Sequence, residues 1–185
     1  MAGLAIIAGG KGLSRRSAWR DIIPAMNQPP LSHLDPSGQA RMVDVGGKPE
    51  TERTAVARGQ VVFSEDTLVA VLAGDVKKGD VRAVARLAGI QAAKRTAELI
   101  PLCHPIGLTH VEVQIEPCRS PSGMRVEATV QCVGRTGVEM EAMTAVTVAC
   151  LTVYDMIKGI DRTARITDVR LVAKRGGRSG DIRLE

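Results

Sequence analysis

The stretch from Glu139 to Lys158 constrains the fold more than any other part of the chain. It meets no helix breaker until Gly159, a good C-terminal stop, and from Thr144 to Tyr154 it is almost wholly apolar. A helix without a polar face must be buried, so other elements have to cover it. Its apolar stretch falls short of the roughly 20 residues of a membrane span. The covering must be aliphatic. Trp19, Phe63 and Tyr154 are the only aromatic residues, 2% of the sequence, which leaves Val, Ile, Leu, Ala and Met to build the core. A chain of 185 residues can form one domain and bury such a core without disulfides.

The partners of that helix can be read along the chain. Ala55 to Phe63 is a β-prone run, interrupted at Arg58-Gly59. Ser64 is an N-cap with Glu65 and Asp66 in the first turn, an inward stripe of Leu68, Val71 and Leu72, and a stop at Gly74. Asp80 caps a longer helix, predicted to reach about Leu99 with an inward stripe of Val84, Leu87, Ala88, Gln91 and Arg95. Pro101 and Pro105 force the intervening residues into an extended turn. Thr109 to Ile115 and Met124 to Val133 alternate in polarity across a Pro121-Ser122-Gly123 turn, which predicts a hairpin. Ile166 to Ala173 is a last strand. The order β-α-α-β-β-α-β predicts an α+β fold, an antiparallel sheet with helices packed on one face in a ferredoxin-like arrangement. Residues 1–30 differ: Gly9-Gly10-Lys11-Gly12, Arg15-Arg16 and Pro29-Pro30 make a basic, turn-rich extension, read as a flexible arm. Lys11 lacks the rest of a phosphate-loop motif. Residues 31–185 read as a single domain.

Net charge is +5 and the isoelectric point is near 9.3. That modest positive field favours anionic partners such as nucleotides and phosphorylated metabolites. Nucleic acid would share the preference, but three aromatic rings offer no platform for a row of stacked bases, and no nucleic-acid partner is expected. No membrane partner is expected either. Cys103, Cys118, Cys132 and Cys150 include no C-x-x-C pair, so reduced thiols in a cytoplasmic protein fit better than a zinc ribbon or a redox pair. Met1 to Ile7 has no basic flank of the kind a signal peptide carries.

Several groups of residues can carry chemistry. Lys78 stands at a helix entrance, where the dipole disfavours its charged form and suits it to proton transfer. Cys103-His104 lies between two prolines, and an imidazole titrates near neutral pH. With His110 it supplies too few ligands for a standard zinc site, and no metal site is expected. Glu139 and Glu141 open the apolar helix but, two residues apart, cannot both aim at one point if both are helical. Asp155 and Lys158 share a face near its other end, an acid and a base at the end of a buried helix. Arg41, Arg53, Lys94, Arg95 and Lys174, the last in the glycine-rich loop to Gly180, are candidates for phosphate. Each group taken alone also reads as ordinary structure; an exposed Asp–Lys pair, for example, contributes only about 0–1 kcal/mol.

Taken together the motifs are more specific. Met42-Val43-Asp44-Val45, Lys78-Gly79-Asp80-Val81, Ala88 to Thr96 (AGIQAAKRT), Leu99 to Pro105 (LIPLCHP), Thr136 to Ala142 (TGVEMEA) and Val153 to Lys158 (VYDMIK) occur in this order. From about Leu31 onward the chain closely resembles the MoaC family of molybdenum cofactor biosynthesis. The resemblance implies a lyase that converts 3′,8-cyclo-7,8-dihydroguanosine 5′-triphosphate to cyclic pyranopterin monophosphate and releases pyrophosphate. It implies Asp155 as catalytic acid or base, with Lys78 and Lys158 as its proton-transfer partners. Leu102, Cys103, His104, Met140 and Glu141 would contact substrate, with Glu139 beside them. It implies a homohexamer built as a trimer of dimers. No cofactor is required, although a divalent cation such as magnesium can accompany the pyrophosphate. A nucleotide-binding regulatory module would share the basic groups without needing Asp155 beside Lys158.

Helix geometry adds one expectation. At about 1.5 Å per residue, Glu141 and Asp155 stand about 21 Å apart, and Lys78 and His104 bracket a helix of roughly 30 Å. One small substrate cannot reach all four, so the site is expected to be shared between two subunits. On this reading, a Lys78→Ala chain mixed with an Asp155→Ala chain should recover some activity.

Overall fold

A computed structural model describes residues 34, 35, 37–178 and 180–185, so the extension expected over residues 1–30 lies outside the described residues. The chain divides into two units between Ala40 and Arg41. In the first, Leu34 and Ala40 form an isolated antiparallel bridge. The Asp35 carboxylate within it accepts from the backbone amides of Ser37 and Gln39.

The second unit holds five strands and four helices among the described residues. They run β1 (Thr51–Val62), α1 (Glu65–Ala73), α2 (Val81–Ala93), α3 (Thr96–Leu99), β2 (Leu108–Arg119), β3 (Ser122–Gly134), α4 (Glu139–Ile157), β4 (Arg165–Arg175) and β5 (Ile182–Arg183). The sheet has the order β2-β3-β1-β4-β5, and every neighbouring pair is antiparallel. Each helical crossover joins strands that have one other strand between them, a split β-α-β pattern. This is the expected α+β architecture. β5 is an addition that its two-residue length hides from periodicity.

Alternation explains the sheet. In β1, Ala55, Ala57 and Val61 are fully buried; in β3, so are Met124, Val126, Ala128 and Val130. The register pairs Ala57 with Ala128 and Val61 with Met124, which stacks the buried residues on one face. Arg58, Gln60, Arg125 and Glu127 occupy the other face, where Arg58 pairs with Glu127 at 2.5 Å and with Glu185 at 2.7 Å. The interruption expected at Arg58-Gly59 is a register shift against β4 between Arg58 and Gln60, not a break in the strand. β1 runs through it for 12 residues, and Gly59 lies on the buried face beneath Val146 and Cys150.

α4 fills that face. Ala142, Ala145, Val146, Ala149, Cys150 and Val153 have no exposed surface. The whole 19-residue helix, mean hydropathy 1.3, is longer in apolar character than the stretch read from sequence, and by length and composition alone it could cross a membrane. Here it is the core helix, covered by α2 and the sheet.

α2 departs from its expected form in two ways. It stops at Ala93 rather than near Leu99. The Thr96 hydroxyl donates to the carbonyls of Ala93, at 3.0 Å, and Ala92, satisfying the acceptors a longer helix would have used, and the short α3 follows. The buried stripe is also rotated, to Val81, Ala85, Gly89, Ala92 and Ala93, while Val84 and Leu87 are 41% and 68% exposed and Gln91 and Arg95 face solvent. The cause is close packing. A Cβ on Gly89 would lie 3.0 Å from the Ala145 carbonyl oxygen and 3.2 Å from the Ala149 Cβ. Small residues therefore face α4, and the larger apolar ones are turned outward. α1 shows the same bias more weakly: Leu68 is buried and Leu72 is half exposed.

One buried carboxylate ties the end of α4 to the start of α1. Asp161 accepts from the Ser64 amide at 3.0 Å and from the Thr163 hydroxyl and amide at 2.6 and 2.8 Å. These bonds, the Thr163 hydroxyl first, bring its carboxyl down from 3.8 to about 2. The native pKa lies below the unfolded one. The contribution is therefore complete above about pH 4 and is lost as pH falls toward 2. Asp161→Ala is expected to lower stability by about 1–3 kcal/mol in urea unfolding at pH 7. The gap from the parent chain should narrow below pH 4.

Candidate active site

Two clusters of titratable groups form at opposite ends of α4. At its C-terminal end, the turn closed by the Gly79 amide on the Val76 carbonyl delivers Lys78. Its ammonium donates to Asp155 Oδ2 at 2.6 Å and to the Asp155 carbonyl at 2.8 Å, so it also satisfies an acceptor in the helix's last turn. Lys158 Nζ lies 2.7 Å from Asp155 Oδ1. All three side chains are about half exposed. Lys158, then Lys78, hold the Asp155 carboxyl at about 2, and Asp155 in turn raises the Lys158 ammonium. At neutral pH the cluster is a carboxylate between two ammonium groups. Asp155 sustains the proton on Lys158, so that ammonium is a group able to donate, and Asp155 aims it.

The second cluster surrounds the N-terminus of α4. Glu139 and Glu141 diverge as their spacing requires. Glu139 pairs with Lys174 of β4 at 2.7 Å, and Glu141, 3% exposed, turns inward to Cys103, whose thiol donates to Oε1 at 3.6 Å. Burial raises the Glu141 carboxyl, and its Oε2 has no hydrogen-bond partner among the described residues. Burial first, and Glu141 second, push the Cys103 thiol up to about 11, so it stays protonated. The neighbouring His104 Nε2 lies 2.7 Å from the Val43 carbonyl oxygen. A carbonyl only accepts, so Nε2 carries the proton in this contact. Leu102 is half-buried beside it and Met140 is 41% exposed.

α2 therefore runs antiparallel to α4, with Lys78 at one end of the pair and Cys103-His104 at the other. About 21 Å of helix separates Glu141 from Asp155. This arrangement corrects one expectation. Lys78 and Asp155 are bonded within one chain, so Lys78→Ala and Asp155→Ala damage the same cluster and cannot complement each other. On the expectation of a shared site, a complementing pair takes one residue from each end.

The phosphate candidates divide into those that line a cavity and those that do not. Arg53 and Lys174 line a cavity of about 580 Å³ beside Glu139, together with Lys48, Arg135 and Arg178. Arg41, Lys94 and Arg95 are exposed and do not line it; Lys94 and Arg95 sit at the turn that ends α2. Sequence reading missed Lys48 and Arg135. The sign available was the glycine-framed loop Gly134-Arg135-Thr136-Gly137, which leads straight into the uncapped start of α4.

A model of the MoaC family matches residues 42–177, a span that contains Lys78, His104, both glutamates, Asp155, Lys158 and Lys174. The chain belongs to the MoaC family. A cyclic pyranopterin monophosphate synthase of Chloroflexus aurantiacus is 60% identical over 151 residues, covering 82% of this chain and 93% of the relative. The synthase of Roseiflexus castenholzii is 60% identical over 152 residues, covering 82% and 96%. That of Thermomicrobium roseum is 60% identical over 155 residues, covering 84% and 93%. The family match begins one residue after Arg41 and ends one before Arg178.

Proposed function

We infer that this chain is a cyclic pyranopterin monophosphate synthase of molybdenum cofactor biosynthesis. It acts as a phosphorus–oxygen lyase on 3′,8-cyclo-7,8-dihydroguanosine 5′-triphosphate. The observation that carries the reading is Asp155 gripped by two lysine ammoniums, in a chain of this family. The overall reaction rearranges the ring system and exchanges no electrons with a partner, so a set of acids and bases suffices. A sugar hydroxyl attacks the α-phosphorus. The new P–O bond closes the cyclic phosphate, the bond to the β-phosphate oxygen breaks, pyrophosphate leaves, and the hydroxyl proton passes to a base.

The two clusters divide the work. Leu102, Cys103, His104, Met140 and Glu141 hold the ring system, where the Cys103 thiol anchors one Glu141 oxygen and the other, without a partner among the described residues, is left to meet the substrate. Lys78, Asp155 and Lys158 move protons from the opposite side. One chain holds these groups too far apart for a single small substrate, so the working site draws on two subunits. Self-association is supported by the apolar side chains the helices leave outside: Val84, Leu87, Leu99 and Leu151 are all more than 40% exposed. The assembly proposed is a hexamer made of dimers, and we read the strand order as the ferredoxin-like arrangement. The four cysteines are free thiols, in keeping with a cytoplasmic enzyme. No resident cofactor is part of this reading; a divalent cation such as magnesium enters it only as a companion of the pyrophosphate.

The test is direct. Full-length protein incubated with the cyclised nucleotide should release one pyrophosphate per cyclic pyranopterin monophosphate formed. Binding of the nucleotide without either product would identify a non-catalytic nucleotide module instead.

A further inference from the structure

The two lysines that grip Asp155 arrive on different arms of the chain. Lys158 stands at the end of α4, whereas Lys78 comes from the turn that follows α1. Little covers α1 itself. Of its nine residues only Thr67 and Leu68 are buried, and Val69 and Leu72 are 66% and 50% exposed. It packs chiefly on β3, ends at Gly74, and leaves Val76 as the next buried side chain before Lys78. A helix so thinly covered takes its direction from whatever fixes its start.

That start is tied to α4 by Asp161. The Asp161 amide donates to the Ile157 carbonyl at 3.0 Å, beside the Ile160 amide at 2.8 Å, and so closes the end of α4 just beyond Lys158. The Thr163 amide and hydroxyl hold the Asp161 carboxylate through Oδ1 at 2.8 and 2.6 Å. Oδ2 is left to accept from the amide of Ser64, the N-cap of α1, at 3.0 Å. One buried residue therefore bonds both arms. Its side-chain bonds go to Ser64 and Thr163 rather than to a lysine, so any effect on the cluster travels through the backbone.

Leverage makes the tie matter. At about 1.5 Å per residue α1 is roughly 14 Å long, so a tilt of about 4° at its N-cap shifts its far end by about 1 Å. A misplacement of about that size can cost on the order of a hundredfold in rate. We propose that Asp161 is a positioning residue for the proton-transfer cluster, setting the arms of Lys78 and Lys158 at the spacing from which both ammoniums reach Asp155. The inference rests on the proposed function for the reaction it serves, whereas the tie itself rests on the hydrogen bonds. Its loss should act on kcat more than on KM, because the groups that hold the ring system lie at the other end of α4.

The experiment compares the full chain with Asp161→Ala, Asp161→Asn and Val126→Ala. Val126 is fully buried in β3, so its truncation destabilises the chain without touching the tie. Turnover of the cyclised nucleotide is followed at a temperature where thermal melts show every chain folded, and amide hydrogen exchange is followed in the same chains. Asp161→Ala should lower kcat by about tenfold to a hundredfold with KM changed less than about threefold. Asp161→Asn keeps one acceptor oxygen and should recover part of the loss. The Gly79 amide, which closes the Lys78 turn on Val76, should exchange at least about threefold faster in Asp161→Ala. In Val126→Ala it should not, because that change speeds amides that exchange through global unfolding. An Asp161→Ala chain that keeps parental kcat, or loses no more than Val126→Ala does, would overturn the positioning role and leave the proposed function standing. Unchanged exchange at Gly79 would overturn it as well. Faster exchange there, in a protein whose parent chain does not turn the nucleotide over, would uphold the tie and overturn the function. If Asp161→Ala melts below the assay temperature, Asp161→Asn carries both comparisons.

Discussion

Asp155→Asn is expected to cut kcat by about a hundredfold to ten-thousandfold with little change in KM, the scale of losing positioned acid–base catalysis. The substitution keeps the shape and removes the charge. Lys78 and Lys158 then face an amide that no longer orients both ammoniums through charged oxygens. Asp155 raises the Lys158 pKa, so its removal lets that pKa fall back. If an ammonium is the working acid, activity is present below its pKa and lost above it. The basic limb of the residual pH–rate profile should therefore move to lower pH in the variant. A profile that keeps its basic limb, with kcat reduced, would assign the proton transfer to some other group. On the acidic side Asp155 is ionised down to about pH 2, so any acid limb between pH 5 and 7 must come from a different residue.

Much of this arrangement is legible in the sequence, and the parts that are not have identifiable causes. Alternation in β3 and the apolar run of α4 fix which residues are buried, because a period of two or an all-round apolar helix admits one solution. The α2 stripe was misplaced because hydrophobicity ranks Val84 and Leu87 above Ala85 and Gly89, whereas a helix packed against the small face of α4 selects residues by size. Its early end was missed because Thr96 competes for the carbonyls through its side chain, which composition does not register. The divergence of Glu139 and Glu141 followed from spacing alone. Their partners did not: Lys174 and Cys103 lie 35 and 38 residues away along the chain. The pairing of Lys78 with Asp155 spans 77 residues and depends on α2 and α4 running antiparallel, a relation no local pattern contains. Lys94 and Arg95, within a strong motif, do not line the cationic cavity, while Lys48 and Arg135 escaped notice.

The second large effect is a rescue. Asp155→Ala and Lys174→Ala chains, each inactive alone, are expected to regain activity when unfolded together and co-assembled. Asp155 belongs to the cluster at one end of α4 and Lys174 to the cluster at the other. In a two-fold dimer each composite site takes one cluster from each chain. A mixed dimer then contains one doubly damaged site and one intact site. Random pairing of equal amounts makes half the dimers mixed, so the pool should reach about one quarter of parental activity. His104→Ala can replace Lys174→Ala if the latter strands Glu139 and fails to fold. The pairing of Lys78→Ala with Asp155→Ala is the internal control. Those residues touch at 2.6 Å within one chain, so every site in that mixture carries a broken cluster and activity should stay at baseline. Rescue of the control pair with none for the cross-cluster pair would invert the assignment of residues to half-sites. No rescue in either mixture, with mixed dimers verified by mass, would confine catalysis to one chain and require the substrate to be handled at one end of α4 alone.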